Sequence, residues 1–198
     1  AHHKDDIVEN IFANVCRGRY ILDLAVIREH SKISDINIAR PMIKYYKEII
    51  YNFAYKYQVP YFKDTTPEWS VRGKYRNIIS PAIEDAFSEN VKDNLIELGK
   101  QSDEWNILVN KMIINPFLNN VTYNENNINF NIEKYIDYPF CFWLQVFMKL
   151  FYKYNHNCPS RKSVQNFLNI VNIGKNCNIL ISNKTICKIR NNCVTIQF

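Results

Sequence analysis

The chain has 198 residues, of which 47% are hydrophobic and 22% charged, and its formal net charge is +6. This composition excludes a disordered chain and supplies enough apolar residues for one ordinary or two small globular domains. No run of roughly 18 uncharged apolar residues occurs, and the N-terminus lacks the layout of a signal peptide. We therefore predict neither a membrane span nor secretion.

The charge is divided unevenly along the chain. Residues 1–137 hold 17 Lys and Arg against 19 Asp and Glu, whereas residues 138–198 hold 8 Lys and Arg and no acid. The last third is therefore a candidate polyanion-binding segment. A basic surface that is merely solvated is the alternative, and it stays open.

The six cysteines form no Cys-x-x-Cys pair, so their spacing suggests neither a zinc site nor an iron–sulfur site. Without a secretory signal, disulfide bonds are not expected either. The cysteines are predicted to be free thiols.

In the first part of the chain, residues 4–16 place apolar side chains at helical spacing, with acids in the first turn. Residues 43–57 repeat the helical pattern, and Pro60 ends it. The apolar segment 59–62 is predicted to be extended.

Further along, Pro81 fits the first turn of a long helix that reaches Leu98, and a second helix is expected over 104–113. Over residues 117–132, apolar and polar residues alternate weakly, which predicts a hairpin. An aromatic segment, 140–154, predicts a buried helix, and 160–171 predicts a capped helix. Three short β-rich runs follow residue 178.

The sharpest motif is the segment His2-His3-Lys4-Asp5-Asp6-Ile7-Val8-Glu9-Asn10. On a helix, Asp6 and Glu9 are three residues apart and face the same side. Two carboxylates beside two histidines can hold an ammonium group, a metal ion or an adenine nucleotide. An ordinary acidic helix start explains the pattern equally well.

A second motif joins Asp64-Thr65-Thr66-Pro67 to three cations, Arg72, Lys74 and Arg76. Arginine suits bidentate contact with phosphate, so the segment can engage a polyanion. A solvated turn in which Asp64 pairs with an arginine is the competing interpretation, and the residues alone favour it slightly.

Taken in order, these pieces resemble the tRNA(Ile)-lysidine synthetase family, which belongs to the N-type ATP pyrophosphatases. The resemblance covers residues 1–100 well and the C-terminal part more weakly. Four short motifs carry it: His2-His3-Lys4-Asp5-Asp6-Ile7-Val8-Glu9-Asn10 with Arg17-Gly18, Arg40-Pro41-Met42, Asp64-Thr65-Thr66-Pro67, and Arg72-Gly73-Lys74-Tyr75-Arg76 followed by Pro81.

Three residues depart from the family pattern. Asn10 stands where the family has Thr, and Pro67 and Gly73 stand where it has Asn. The Ser-Gly-Gly-x-Asp-Ser loop that cradles ATP phosphates does not occur in the 198 residues. We therefore expect this chain to lack the N-terminal PP-loop and, taken alone, to be inactive.

The resemblance implies an α/β fold. Residues 1–80 would be the C-terminal part of a parallel-sheet, adenine-nucleotide alpha-hydrolase-like PP-loop ATPase domain that binds the nucleotide. Residues 81–137 would form a helical connector, and residues 138–198 a small, basic α+β unit that binds tRNA.

The activity implied is a two-step ligation. ATP, with Mg²⁺, would adenylate the C2 oxygen of the wobble cytidine in a CAU-anticodon tRNA(Ile), and free L-lysine would then displace AMP to give lysidine. A cytoplasmic location, or alternatively a plastid-like organelle, follows from such a substrate. No membrane partner is expected, and a homodimer is left open.

The resemblance also assigns roles to individual residues. Asp5 and Asp6 would be catalytic, Asp6 and Glu9 would bind the lysine substrate, and no residue would ligate a metal. The nucleotide would contact His2, His3 and Asp5. Contacts to tRNA would come from Arg72, Lys74, Arg76, Arg161 and Lys162.

Two alternatives remain at this stage. A tRNA 2-thiocytidine synthetase shares the His-His-x-Asp-Asp pattern but uses a Cys-x-x-Cys pair, which is absent from these residues. A non-catalytic tRNA- or RNA-binding family member would keep the fold without the ATP chemistry.

Overall fold

The computed structural model describes residues 2–33, 35–62, 66–183 and 185–198. The chain forms two compact units, Ala1–Ile107 and Leu108–Phe198. The N-terminal unit is mainly helical, and the C-terminal unit combines helices with a five-stranded sheet. Among the described residues, no helix is long and apolar enough to cross a membrane.

The N-terminal unit is built on α1, which spans the predicted 4–16 and buries Val8 and Ile11. Its other regular elements are 3-10 helix Ile21–Asp23, β1 (His30–Ile33), β2 (Ile36–Ala39), α2 (Lys47–Lys56), α3 (Val71–Lys74), π-helix Tyr75–Ile79, α4 (Ser80–Phe87) and α5 (Val91–Val109), in which the division between the units falls.

A continuous helical path runs from α3 through the π-helix into α4. The residues at each junction, Lys74, Tyr75, Ile79 and Ser80, all have right-handed helical dihedral angles. Pro81 lies just after the wider π turn, where its missing amide removes one helical hydrogen bond. This proline was expected in the first turn of a new helix, but the helical path begins ten residues earlier, at Val71.

The predicted parallel sheet differs from what the structure shows, because every strand pair among the described residues is antiparallel. In the N-terminal unit β1 pairs with β2, with Ile33 opposite Ile36. Two residues separate these strands, and a parallel crossover needs a dozen or more. The short connection therefore dictates a hairpin.

The C-terminal unit contains a sheet in the order β3-β4-β7-β6-β5. Its elements are π-helix Asn110–Ile114, α6 (Asn115–Leu118), β3 (Thr122–Tyr123), β4 (Asn127–Asn131), 3-10 helix Glu133–Tyr135, α7 (Phe140–Lys153), α8 (Arg161–Ile173), β5 (Cys177–Ser182), β6 (Thr185–Arg190) and β7 (Cys193–Gln197).

The core of this unit is aromatic. Trp143 and Phe147 on α7 are fully buried and pack edge-on against Phe167 of α8, with ring centroids 5.2 and 5.0 Å away. One face of the sheet is buried too, and Cys187 lies there. Burial raises the pKa of its thiol to about 12, so the thiol stays protonated at neutral pH.

The hairpin expected over 117–132 is partly present, since α6 occupies its first residues and β3 and β4 the rest. β4 pairs with β7, so residues that were predicted to lie in a helical connector belong to the sheet of the C-terminal unit. The three-part division at residues 80 and 137 stays a prediction.

Candidate functional site

Helix α1 positions the acids of the first motif. His3 occupies the N-cap position, and its backbone N–H donates to Asp6 Oδ2 at 2.9 Å. The imidazole of His3 lies between two carboxylates, with Nδ1 3.4 Å from Asp5 Oδ2 and Nε2 3.6 Å from Asp6 Oδ2. The histidine and both aspartates are therefore held in one cluster at the start of the helix.

Glu9 and Asp6 face the arginines of the second motif. Arg72 Nε donates to Glu9 Oε1 at 2.6 Å, and Arg76 Nε donates to Glu9 Oε2 at 3.0 Å. The Nη2 group of Arg76 reaches Asp6 Oδ1 at 3.2 Å. Both carboxylates are buried, whereas Arg72 is 56% exposed. The charges of two acids on α1 are thus neutralised by two arginines, one on α3 and one on the π-helix that follows it.

Asp5 faces the start of α2. Its Oδ2 atom accepts a hydrogen bond of 2.8 Å from the backbone N–H of Lys47, the first residue of α2. A carboxylate at this position interacts favourably with the positive end of the helix dipole. Asp5 therefore anchors α2 on α1 while it also lines the cleft beside them.

His2 is held by Arg40, from the predicted Arg40-Pro41-Met42 motif. Arg40 Nε donates to His2 Nδ1 at 3.1 Å, and Arg40 Nη1 donates to Ser31 Oγ and to the Arg28 carbonyl. Because Arg Nε can only donate, Nδ1 is the unprotonated nitrogen of the imidazole. The ring proton of His2 is therefore on Nε2.

His3, Asp5, Glu9 and Arg76 line a cleft of about 460 Å³, a volume within the usual range of ligand pockets. Both signs of charge line it, with Asp5, Glu9 and Glu84 against Lys47, Arg76 and Lys92. Burial alone would raise the pKa of Glu84, but hydrogen bonds from Ser80 and Lys92 hold it below its usual value. Burial also raises the pKa of Tyr75, which lines the same wall.

A second cleft of about 520 Å³ shares Glu9 and Tyr75 with the first. Its lining is more apolar, and Phe12 packs on Tyr75 there with ring centroids 5.1 Å apart. The ion-paired Glu9 and the ring of Tyr75 are thus common to a charged and an apolar cleft of the N-terminal unit.

The remaining predicted site residues lie elsewhere. Lys74 is exposed on α3, and Arg161 and Lys162 are exposed in the first turn of α8, in the other unit. Asp64 and Thr65 lie outside the described residues, so the predicted pairing of Asp64 with an arginine does too. The structure brings His2, His3, Asp5, Asp6, Glu9, Arg72 and Arg76 together in the N-terminal unit. Their assigned roles stay predictions.

Sequence reasoning missed three contributors, namely Arg40, Lys47 and Tyr75. Arg40 belongs to a motif that was noticed but was given no role. Tyr75 could have been recognised as a site residue from its position between Arg72 and Arg76. On a helical segment, that position brings its side chain close to α1. Lys47 contributes its backbone amide, which no sequence pattern reports.

No group of three or more His, Cys, Asp or Glu side chains in the described parts of the chain is arranged to hold a metal ion. His3, Asp5 and Asp6 approach one another, but the contacts described above use several of their atoms. The chain's described residues do not fit a metal site made of protein ligands alone.

Comparison with known families identifies a domain over this site. The PP-loop domain family matches residues 1–83, which include both motifs and the arginines that join them. This match is at odds with the expectation that the chain lacks the N-terminal PP-loop, because the domain aligns from the first residue.

Curated proteins similar to the chain are tRNA(Ile)-lysidine synthases. The chain is 29% identical over 135 residues to those of Chlamydia caviae and Chlamydia trachomatis serovar L2, an alignment that covers 67% of this chain and 42% of each relative. It is 30% identical over 105 residues to that of Streptococcus agalactiae serotype V, covering 52% of this chain and 23% of the relative. The chain thus spans less than half the length of these relatives. Its first 83 residues are similar to the PP-loop domain family, and 135 of its residues are similar to tRNA(Ile)-lysidine synthases.

Proposed function

We propose that the protein is part of an ATP-dependent carbon–nitrogen ligase that forms lysidine in a CAU-anticodon tRNA(Ile). One observation carries the proposal: Asp6 and Glu9 form ion pairs with Arg72 and Arg76, and Glu9 and Arg76 line a cleft of the N-terminal unit together with Asp5. The relatives, which are named for this activity, support the same conclusion.

The proposed reaction has two steps. The C2 oxygen of the wobble cytidine attacks the α-phosphorus of ATP, and pyrophosphate leaves. The ε-nitrogen of lysine then bonds to C2, and AMP departs with the former C2 oxygen. Mg²⁺ would enter with the ATP phosphates, since this ion usually binds through substrate phosphates and a few carboxylates.

The charge pattern of the cleft suits free lysine, which carries two ammonium groups and one carboxylate. Glu9 on the cleft wall, and Asp6, which shares Arg76 with it, offer carboxylate oxygens to an ammonium group, and each oxygen has more than one lone pair available. Arg72 and Arg76, to which the resemblance assigns tRNA contacts, offer guanidinium groups to the phosphates of that tRNA. Before the ε-nitrogen can attack it must lose a proton, and we assign the role of acceptor to Asp5, which is a third exposed on the cleft wall.

The test measures entry of labelled lysine into a CAU-anticodon tRNA(Ile) transcript by the full gene product that carries these residues. ATP-dependent incorporation supports the ligase, and pyrophosphate release without lysine would report the first step. The matched control is a transcript with a UAU anticodon, which should accept no label. Incorporation without ATP, or none with any transcript, would refute the ligase.

Lysine binding is tested separately by Asp6→Ala and Glu9→Ala. We expect both variants to raise the lysine concentration needed for half-maximal rate far more than they weaken tRNA binding. The control is Glu97→Ala, an exposed acid on α5. An equal loss of lysine and tRNA affinity would contradict the role assigned to this pair.

One observation favours a second candidate, a non-catalytic RNA-binding family member. Asp6 and Glu9 are already neutralised within the protein by Arg72 and Arg76, so an ammonium group must share or displace these contacts. RNA binding without lysine incorporation would select this candidate. A homodimer and a cytoplasmic or plastid-like location remain predictions under either function.

A further inference from the structure

The proposed function leaves one cavity of the N-terminal unit without a ligand, namely its second cleft. This cleft measures about 520 Å³, a volume within the usual range of ligand pockets. Its walls come from α1, α3 and the π-helix, and its apolar and aromatic lining consists of Phe12, Ala13, Val71, Tyr75 and Ile79. Such a cavity suits an uncharged ligand better than an ionic one.

Two aromatic rings shape the inside of this cleft. Phe12 on α1 and Tyr75 in the π-helix lie with their ring centroids 5.1 Å apart and their planes at 45°. Tyr75 is buried, whereas Phe12 is half-buried. Every nucleobase has a flat π surface, and proteins stack unpaired bases on aromatic side chains. The cleft therefore offers a stacking surface to a planar heterocycle.

Hydrogen-bond donors lie in the same lining. Arg72 is 56% exposed and carries further N–H groups besides the Nε–H that binds Glu9. Asn10 Oδ1 accepts from Asn14 Nδ2 at 3.2 Å, so the amide nitrogen of Asn10 is the atom that can donate to a ligand. Cytosine has two neighbouring acceptors, O2 and N3, which complement these donors. Uracil carries a hydrogen on N3 and offers only one of the two.

The two clefts of the unit share Glu9 and Tyr75, so their ligands would lie next to each other. The proposed reaction bonds C2 of a cytosine to the ε-nitrogen of lysine, and the two substrates must therefore meet. A base in the apolar cleft and an amine in the charged cleft meet at Glu9, to which the resemblance assigns the lysine ammonium group. The two clefts thus hold an uncharged and an ionic ligand side by side.

The Arg17-Gly18 motif ends α1 at the same cleft. Gly18 has a φ of 65°, and its N–H donates to the Val15 carbonyl at 3.0 Å, which closes the helix. Arg17 is the C-cap residue, is exposed and belongs to the lining. A nucleotide whose base fills the cleft also carries a phosphate, for which an exposed guanidinium is a suitable partner.

We propose that the second cleft binds the base of the wobble cytidine, stacked on Phe12 and held at O2 and N3 by Arg72 and Asn10. The identity of the base rests on the proposed function. Entry into the cleft costs little, because a wobble base lies in a single-stranded loop and has no pairing partner to leave. Lysine in the first cleft would then approach C2 from the side of Glu9.

The first experiment places pyrrolocytosine, a fluorescent cytosine analogue, at the wobble position of the CAU-anticodon transcript. Stacking quenches this fluorophore, so its emission should fall when the full gene product binds. Phe12→Leu keeps an apolar side chain and removes the ring. We expect this variant to lose the quenching and to bind the transcript roughly tenfold more weakly, as measured by fluorescence anisotropy.

The matched control is Phe53→Leu, at a position of α2 that is 59% exposed and lies in neither lining. It should quench and bind as the unaltered protein does. A second variant, Val71→Trp, fills the cleft from a position that is 65% exposed, so folding should tolerate it. Thermal unfolding midpoints verify that each variant is folded. Quenching that persists in both Phe12→Leu and Val71→Trp would overturn the site.

The second experiment tests the orientation of the base. Asn10→Asp keeps an oxygen for Asn14 and replaces the amide donor with an acceptor. Affinity for the CAU transcript should fall about tenfold, and affinity for a UAU transcript should fall less, because N3–H of uracil can donate to the new oxygen. Equal losses for the two transcripts would refute the contact between Asn10 and N3.

ATP is the competing source of a planar base. If Phe12→Leu weakened ATP binding and left the pyrrolocytosine quenching unchanged, the ligand of the cleft would be adenine and the proposal would be wrong. We expect the opposite result, with ATP affinity the same in Phe12→Leu and in the unaltered protein.

These readouts are separate from lysine incorporation. If incorporation fails but the quenching depends on Phe12, the ligase is wrong and the base site stands. If incorporation succeeds and Phe12→Leu quenches normally, the base site is wrong and the ligase stands.

Discussion

Glu9 is the residue on which the candidate site converges. Each of its carboxylate oxygens accepts from a different arginine, and it lines both clefts of the N-terminal unit. Asp6 adds a second acid to the same network through Arg76. The four side chains carry no net charge together, so they offer partners of both signs to a ligand that carries ammonium and carboxylate groups.

Replacing Glu9 with Gln should destabilise the N-terminal unit. The change removes the charge of a buried acid and leaves Arg72 and Arg76 without their shared partner, although the exposure of Arg72 limits the loss. We expect a decrease of about 2 kcal/mol in the free energy of unfolding, below the 3–5 kcal/mol of a fully buried pair. Urea unfolding monitored by circular dichroism measures it.

The control for this variant is Glu97→Gln. Its partner Lys100 is exposed, as Glu97 is, and the pair lies on one face of α5. Such pairs contribute about 0.3–0.5 kcal/mol. If Glu9→Gln lowered the free energy of unfolding no more than Glu97→Gln does, the buried network would add no more stability than an exposed ion pair.

Asp93 offers a pH-dependent prediction. Hydrogen bonds from the Tyr46 hydroxyl at 2.7 Å and from Lys4 at 2.9 Å lower the pKa of this carboxyl below 3.8. A lowered pKa means that ionised Asp93 stabilises the fold above pH 3.8, and that this contribution is lost as the pH falls through the folded-state value.

Tyr46→Phe removes the donor with the largest effect, so the pKa of Asp93 should rise towards 3.8, and less stability should be lost on acidification. Carboxyl carbon chemical shifts followed by NMR titration measure this change. Tyr55→Phe, at an exposed position on α2, is the control and should leave Asp93 unaffected. A pKa of Asp93 that is the same in Tyr46→Phe as in the unaltered protein would disprove the assignment.

At the scale of elements, α3 depends on the absence of a side chain at Gly73. A Cβ there would lie 2.2 Å from the carbonyl oxygen of Pro67 and 2.8 Å from Cα of Glu68. Pro67 and Gly73 are two of the positions that depart from the family pattern, and the structure places them in contact. A side chain at position 73 would therefore collide with the backbone at position 67, so the residues at these two positions depend on each other.

Gly73→Ala should push the segment that precedes α3 away from the helix. Overpacking against backbone costs about 1–3 kcal/mol, and the displacement would also shift Arg72 from Glu9. The exposed neighbour Lys74→Ala is the control and should change stability by less than about 0.5 kcal/mol. Thermal unfolding midpoints of the two variants measure this difference. A Gly73→Ala variant as stable as the unaltered protein would refute the close packing.

Elements with a strong local pattern could be predicted from the sequence. The periodic apolar residues of 4–16 predicted α1, and Ser160 marked the start of α8. Helix α3 and the π turn were not predicted, because the motif over residues 64–76 was interpreted as a polyanion-binding segment or a solvated turn. Their helical form depends on the ion pairs to Glu9 and on packing around Gly73, which are contacts between distant parts of the chain.

Helix ends and the site also divide into features that local sequence predicts and features that depend on contacts between distant residues. The helix expected over 81–98 is interrupted at Ser88, whose φ of 93° ends α4. The residue types of the site could be predicted from motifs and spacing. The pairing of Glu9 with Arg72 and Arg76 could not, because spacing along the sequence says nothing about which distant side chains a helix face will meet.

At the scale of the whole molecule, the charge follows the division into units. The N-terminal unit holds fifteen Lys and Arg against sixteen Asp and Glu, and the C-terminal unit holds ten against three. A strongly basic unit attracts a polyanion such as RNA more than a nearly neutral unit does. We therefore expect the C-terminal unit to dominate the salt dependence of RNA binding.

The double variant Arg161→Ala/Lys162→Ala should lower the magnitude of the slope of log affinity against log salt by about 1.5, since each phosphate contact contributes about 0.7–0.9. Arg28→Ala/Lys32→Ala removes two exposed cations of the N-terminal unit that already pair with acids, and it should leave the slope unchanged. Titrations of the transcript at several salt concentrations give both slopes. Equal slopes for the two double variants would place the RNA contacts elsewhere.

The position of β7 has a consequence for biosynthesis. This strand, Cys193–Gln197, lies in the middle of the sheet and pairs with β4, whose residues are made more than sixty residues earlier. During translation, β4 therefore has no partner on its β7 side until β7 has left the ribosome. The sheet of the C-terminal unit is completed only after β7 has emerged, and its unpaired edges are open to chaperones or to mispairing until then.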